Sequence, residues 1–245
     1  MIFTYLSVLG EAPLAFLILL SAFSFSLLAG LTFHEFSHAL VADRLGDRTP
    51  RRFGRLSLNP KAHLDPIGST MIFFVGFGWA KPVPVNPNNT ANPKRTMALT
   101  AGAGPAANLV IAGIAGIPIN AGAVPFHHPF VAPSQADLFA RVWTDTPSDL
   151  LGLFLGTVVL LNVILAVFNL LPIAPLDGFN VAVGLLPRDL SRQLASTAPW
   201  GPGILILLIL MPFVADFSPL LTVMGPVIDF FLNAFVGNAT DIRFG

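Results

Sequence analysis

The chain alternates long apolar blocks with shorter polar ones. The first block runs from Leu14 to Phe33, broken only by small and hydroxyl residues. Twenty such residues in a helix span about 30 Å, the thickness of a bilayer core. Pro13 suits the first position of that helix. The helix is expected to continue to about Leu45, with Gly46 as its stop, so that its last turns emerge into water. Further blocks at Thr96 to about Ile117, Leu150 to Leu171, about 201 to 215 and Leu220 to Val236 read as spans, with a short apolar helix at 179–187. Residues 1–12 are apolar apart from Glu11 and are expected at the interface.

The block at residues 66–85 has a different character. Its apolar part, about Met71 to Ala80, is too short to span as a helix, and basic residues flank it on both sides. A re-entrant segment or a β-hairpin near residues 66–86 fits both facts. Val83 and Val85 alternate with Pro82 and Pro84, which suggests an extended edge strand rather than a helix. The expected fold is an all-α polytopic membrane protein with about five to six transmembrane helices, in a single membrane-embedded domain over residues 1–245.

Composition agrees. Hydrophobic residues make up 54% and charged residues 11%, with a mean hydropathy of +0.74; soluble domains carry about 25% charge. The net charge is zero, so nothing points to nucleic acid. With no cysteine, disulfides are excluded and metal ligands must be His, Asp or Glu. The N-terminus lacks a basic region, unlike a cleaved signal peptide.

Charge sets an orientation. Arg44, Arg48, Arg51, Arg52, Arg55 and Lys61 follow the first block, and by the positive-inside rule this loop is cytoplasmic. A topology determinant touching anionic lipid explains the basic run better than a nucleic-acid site does. The polar loop at 118–149 is then external. Arg188 and Arg192 keep the turn before Trp200 cytoplasmic, so 201–215 leads outward and Leu220 to Val236 leads inward.

Chemistry enters at the end of the first block. His34-Glu35-Phe36-Ser37-His38 is an H-E-x-x-H motif. Helix positions i and i+4 share a face, so His34 and His38 can aim two imidazoles at one zinc ion. Glu35 is placed to take a proton from a water activated there. Ionisable groups at a membrane helix are costly and suggest function. Leu150 to Leu171 returns to the same side, where Pro172 and Pro175 should unwind the helix end and present Asp177. A set of two His and one Asp with an open fourth position results; a carboxylate there could instead bind a backbone amide. Asn108, at membrane depth in the Thr96–Ile117 block, either bonds a neighbouring helix or acts in the site. His127 and His128 fall on the external side and read as surface residues.

These motifs together resemble the site-2 protease family of intramembrane zinc metalloproteases. The resemblance covers roughly His34 to Gly178. It rests on HEFSH, on NLLPIAPLDG from Asn169 to Gly178, on GWAKPVPVNP and on GAGPAAN. Ala174 stands where many relatives have a second proline. No PDZ or CBS module is present, as in the family's short form. The resemblance implies one zinc ion per chain on His34, His38 and Asp177, Glu35 as catalytic base, and Asn169 assisting. It also implies a transmembrane protein substrate cut near the cytoplasmic leaflet of a cell membrane. Asn169, and with it Asn108, would donate a hydrogen bond to the developing oxyanion or pin the substrate backbone. The stretch Gly78 to Asn86 either presents a free edge to the unwound substrate or packs as a structural hairpin. A metal transporter and an inactive zinc-binding scaffold are the competing classes.

Overall fold

The computed structural model describes residues 6–75, 78–130, 135–215 and 217–237. The start of the expected interfacial segment, Gly76 and Phe77, the turn at Asp216 and the tail after Gly237 lie outside the described residues. Eleven α-helices form among those described: α1 (Leu6–Glu11), α2 (Pro13–Arg44), α3 (Thr49–Arg52), α4 (Pro66–Val75), α5 (Pro93–Asn120), α6 (Ala136–Trp143), α7 (Pro147–Asn169), α8 (Asp177–Leu185), α9 (Arg188–Ser196), α10 (Gly201–Leu210) and α11 (Pro219–Val236). Among the described residues, five helical stretches are long and apolar enough to cross a membrane: α2, α5, α7, the run Arg188–Phe213 and α11. The protein is an all-α, multi-pass membrane protein.

The helix ends follow local chemistry. α2 opens on Pro13 and closes before Gly46, whose φ of 110° suits glycine. Arg44 in its last turn complements the helix dipole. Asn92 caps α5 by accepting from the Arg95 N–H. Thr146 and Asp149 form a reciprocal capping box at α7.

α2, α5 and α7 are the frame of the site. Gly30 and Asn108 are joined by a hydrogen bond, as are His38 and Thr100, so α5 runs antiparallel to α2. α7 runs antiparallel to α5 in turn, since Gly156 packs on the main chain of His127 while Asn162 bonds Asn108. α7 therefore ends on the side where α2 ends. The turn at 170–176 then folds back, and Gly178 admits the carbonyls of Leu170 and Leu171 against the start of α8, where a side chain would collide. α8 lies along the first half of α5, with Gly184 against Ala98 and Val181 against Gly102.

The 66–86 excursion is a ten-residue helix, α4, followed by extended chain. Leu64 and Ala80 meet in one isolated antiparallel bridge, and the Lys81 N–H donates to the His63 carbonyl at 2.7 Å. The two ends of the excursion are thus joined without a ladder of strands among the described residues.

One expectation is corrected here. α11 does not return to the histidine side: Phe235 packs its main chain on Gly116, and Asn120 donates to the Ala234 carbonyl at 3.3 Å, so α11 ends beside the end of α5. Gly201 packs against Ala174 near the other end, so the stretch from Gly201 to Val236 makes a net passage away from the histidines. The physical reason is the glycine face of α5, Gly113 and Gly116, which accepts the bulk of Phe235. The polar loop at 118–149 contains a helix. Within it α6 buries Ala140 and Trp143 against Val8, Ala15, Leu19 and Leu153.

Candidate active site

His34 and His38 sit one turn apart on the buried face of α2, with ring centroids 4.7 Å apart. Each ring is held at its Nδ1. The His38 Nδ1 donates to the Thr100 carbonyl at 2.6 Å; a carbonyl can only accept, so this nitrogen carries the proton. The His34 Nδ1 lies 2.6 Å from the Asn108 Oδ1 and donates to it likewise. In neutral imidazoles both Nε2 atoms are then bare. They face the same oxygen: Asp177 Oδ2 lies 3.0 Å from His34 Nε2 and 3.2 Å from His38 Nε2.

With both rings neutral, two imidazole lone pairs and a carboxylate oxygen are turned on one point, an arrangement that a bound cation would satisfy. Asp177 Oδ2 is buried and, apart from these two ring nitrogens, has no hydrogen-bond partner among the described residues. Zinc–ligand bonds of about 2.0 Å set tetrahedral ligand separations of roughly 3.3 Å, close to these distances. Gly104 lines the same space. A Cβ on it would stand 2.5 Å from the Nε2 of both histidines. The donor set and the room left by glycine therefore suit a zinc ion. His34, Glu35 and His38 also form a group whose ligand atoms lie within 4.8 Å of one another.

Glu35 is nearly buried, at 8% exposure, and its Oε2 accepts the main-chain N–H of Val83 at 3.2 Å. The extended chain after α4 thus crosses the site as a strap. Its start is held by the Lys81 bond to His63 and by Arg55, whose guanidinium donates to the Ala62 and Lys81 carbonyls. Its far end is held by Asp47, which accepts from the Asn86 N–H at 2.6 Å and from Asn89 Nδ2 at 2.8 Å. Of the amides expected to offer a free edge, those of Lys81 and Val83 donate within the protein.

Asn108 stands behind His34. Its Nδ2 donates to Gly30 O at 3.1 Å and to Asn162 Oδ1 at 3.0 Å, so the whole amide is engaged. Asn169 closes α7 and donates to the Leu165 carbonyl of its own helix at 2.9 Å. His127 and His128 lie at the far end and are not surface residues. His127 pairs with Asp149 at 2.8 Å, and His128 is buried with its Nδ1 2.8 Å from the Phe130 carbonyl. Asp149, in the first turn of α7, draws His127 inward. Asn162, Asp47 and Thr100 escaped the sequence reading. An asparagine in an apolar span was the available signal for Asn162; a main-chain carbonyl such as that of Thr100 leaves none.

The family model for peptidase family M50 matches residues 22–210, which hold both motifs and the strap. The chain belongs to peptidase family M50. It is 33% identical over 187 residues to a Bacillus subtilis (strain 168) protein named "Putative zinc metalloprotease YwhC", covering 76% of this chain and 79% of that one. It is 31% identical over 192 residues to "Putative zinc metalloprotease Rip2" of Mycolicibacterium smegmatis (strain ATCC 700084 / mc(2)155), covering 76% of this chain and 65% of that one. No solved structure gives a significant match. This M50 protein is a zinc metalloprotease, which sets aside the transporter and the inactive scaffold.

Proposed function

We propose that the protein hydrolyses peptide bonds in the transmembrane segments of other membrane proteins, near the cytoplasmic leaflet. In this reading His34, His38 and Asp177 hold one zinc ion and Glu35 is the general base. The convergence of two Nε2 atoms and Asp177 Oδ2 between α2, α5 and the start of α8 carries the proposal. Zinc, when bound, lowers the pKa of water towards ~7 and polarises the scissile carbonyl.

The chain's own residues do the rest. Glu35 takes a proton from the attacking water and returns it to the leaving amine. The Val83 N–H holds one of its oxygens in place, so the other side of the carboxylate is presented to the reaction. Asn108 acts through His34, keeping its Nδ1 protonated. Asn169 lies where α7 gives way to the 170–176 turn, and there it can exchange its bond to Leu165 for one to substrate backbone. A substrate helix hides its carbonyls in i to i−4 bonds, so it must unwind before it reaches these groups. The cytoplasmic assignment is supported by the exposed Arg44, Arg48, Arg51, Arg52 and Lys61 at the histidine end of α2.

Quantitative membrane proteomics on cells with the wild type and with Glu35→Gln tests the proposal. A single-pass protein should accumulate uncleaved in the variant. If only soluble or extramembrane fragments change, cleavage within the membrane is the wrong reading.

A further inference from the structure

The metal site sits against a buried polar chain that crosses three helices. From α7, Asn162 Nδ2 donates to the Val158 carbonyl at 2.9 Å. That bond turns Asn162 Oδ1 towards α5, where it accepts from Asn108 Nδ2 at 3.0 Å. The same Nδ2 donates its second hydrogen to Gly30 O of α2 at 3.1 Å. Only Asn108 Oδ1 is left for His34, whose Nδ1 lies 2.6 Å away. All three side chains are buried: Asn108 0%, Asn162 1% and His34 4% exposed.

We propose that Asn162 is a positioning residue of the zinc site: through Asn108 it determines which nitrogen of His34 carries the proton. The inference rests on the reading of His34 as a zinc ligand. The polarity of the chain is set at its ends, because Val158 O and Gly30 O are main-chain carbonyls and can only accept. Reversing the Asn108 amide would set its oxygen against both Gly30 O and Asn162 Oδ1, and its N–H groups against the His34 Nδ1–H. With Asn108 and Asn162 both buried, those losses are not repaid. His34 therefore keeps its Nδ1 proton and its Nε2 lone pair. Gly30 completes the device, since a Cβ there would press on Asn162 Oδ1 at 2.9 Å and Asn108 Nδ2 at 3.4 Å.

The test is zinc retention by the full chain in detergent, measured by competition with a chromophoric chelator, alongside the melting of the zinc-free form. Asn162→Leu fills the same space without the acceptor and should weaken zinc by about tenfold, within the range of outer-shell changes around metal sites. Asn162→Asp should stay close to the wild type, because a carboxylic acid there keeps a hydroxyl to donate to Val158 O and a carbonyl to accept from Asn108. Asn162→Leu combined with Asn108→Leu should be no weaker than Asn108→Leu alone, because the effect passes through Asn108. Gly30→Ala disturbs the same bond from outside and serves where Asn162→Leu fails to fold. Wild-type zinc retention in the folded Asn162→Leu or Gly30→Ala protein overturns the inference. So does a loss in Asn162→Asp equal to that in Asn162→Leu, an additive loss in the double variant, or a change confined to melting. His34→Ala separates the two levels: if it keeps zinc, the ligand assignment itself is wrong.

Discussion

Gly104 occupies a position on α5 where a side chain would lie in the space faced by both Nε2 atoms. Gly104→Ala leaves every proposed ligand and the base intact, yet its methyl would stand 2.5 Å from both nitrogens. Zinc retention should fall as far as in His34→Ala, measured as metal content after gel filtration. Asp177→Ala should lose zinc too, while Asp189→Ala, in the first turn of α9, should not. Equal zinc in Asp177→Ala and the wild type would remove the third ligand. The residues that a short spacing brings together were the ones legible in the sequence. His34, Glu35 and His38 need only one helical turn to meet, and Asp177 needed only a count of crossings. What holds the rings was not legible. Thr100 acts through its carbonyl, which any residue could supply, and Asn162 lies more than fifty residues from Asn108, its partner across a helix interface.

Among the elements, the strap from Lys81 to Asn86 is the one whose shape the sequence foreshadowed and whose job it did not. Prolines at alternate positions keep it extended. Its anchors, Asp47 and His63, come from elsewhere in the chain. Val83→Pro removes the N–H that Glu35 accepts. Hydrolysis should fall through kcat, with zinc content and detergent stability near wild type; unchanged kcat would show that Glu35 does not depend on the strap. Asp47 gives the anchor a pH limit. Burial raises its pKa, but hydrogen bonds from Thr49, Asn89 and Asn86 outweigh this and hold it below its ordinary 3.8. A carboxylate with a lowered folded pKa stabilises above its unfolded value and loses that contribution as pH falls through the folded value. The strap should therefore resist limited proteolysis evenly from neutral pH down to about pH 4, and loosen only below it. In Asp47→Ala it should be cut readily across the whole range.

At the scale of the whole molecule, helix direction is the property that sequence reasoning half recovered. α2, α5 and α7 follow the order expected from basic loops and apolar blocks, because each crossing is long and its ends differ in charge. α11 does not, because the glycine face of α5 determines where it packs, and neither α10 nor α11 ends in a run of charge that would fix its sense. The orientation of the frame in the bilayer can be tested without regard to α11. The wild type has no cysteine, so single labels report cleanly. Arg52, after the end of α2, and Ala123, after the end of α5, are both exposed and lie at opposite ends of the antiparallel pair. A cysteine at Arg52 should react only with reagents that enter the cytoplasm, and one at Ala123 only with reagents added outside. Because His38 is bonded to Thr100 and His34 to Asn108, the proposed zinc site moves with whichever side Arg52 occupies. Labelling of Arg52→Cys from outside would therefore transfer the site to the outer leaflet. It would leave the ligand geometry untouched but overturn the cytoplasmic site of cleavage.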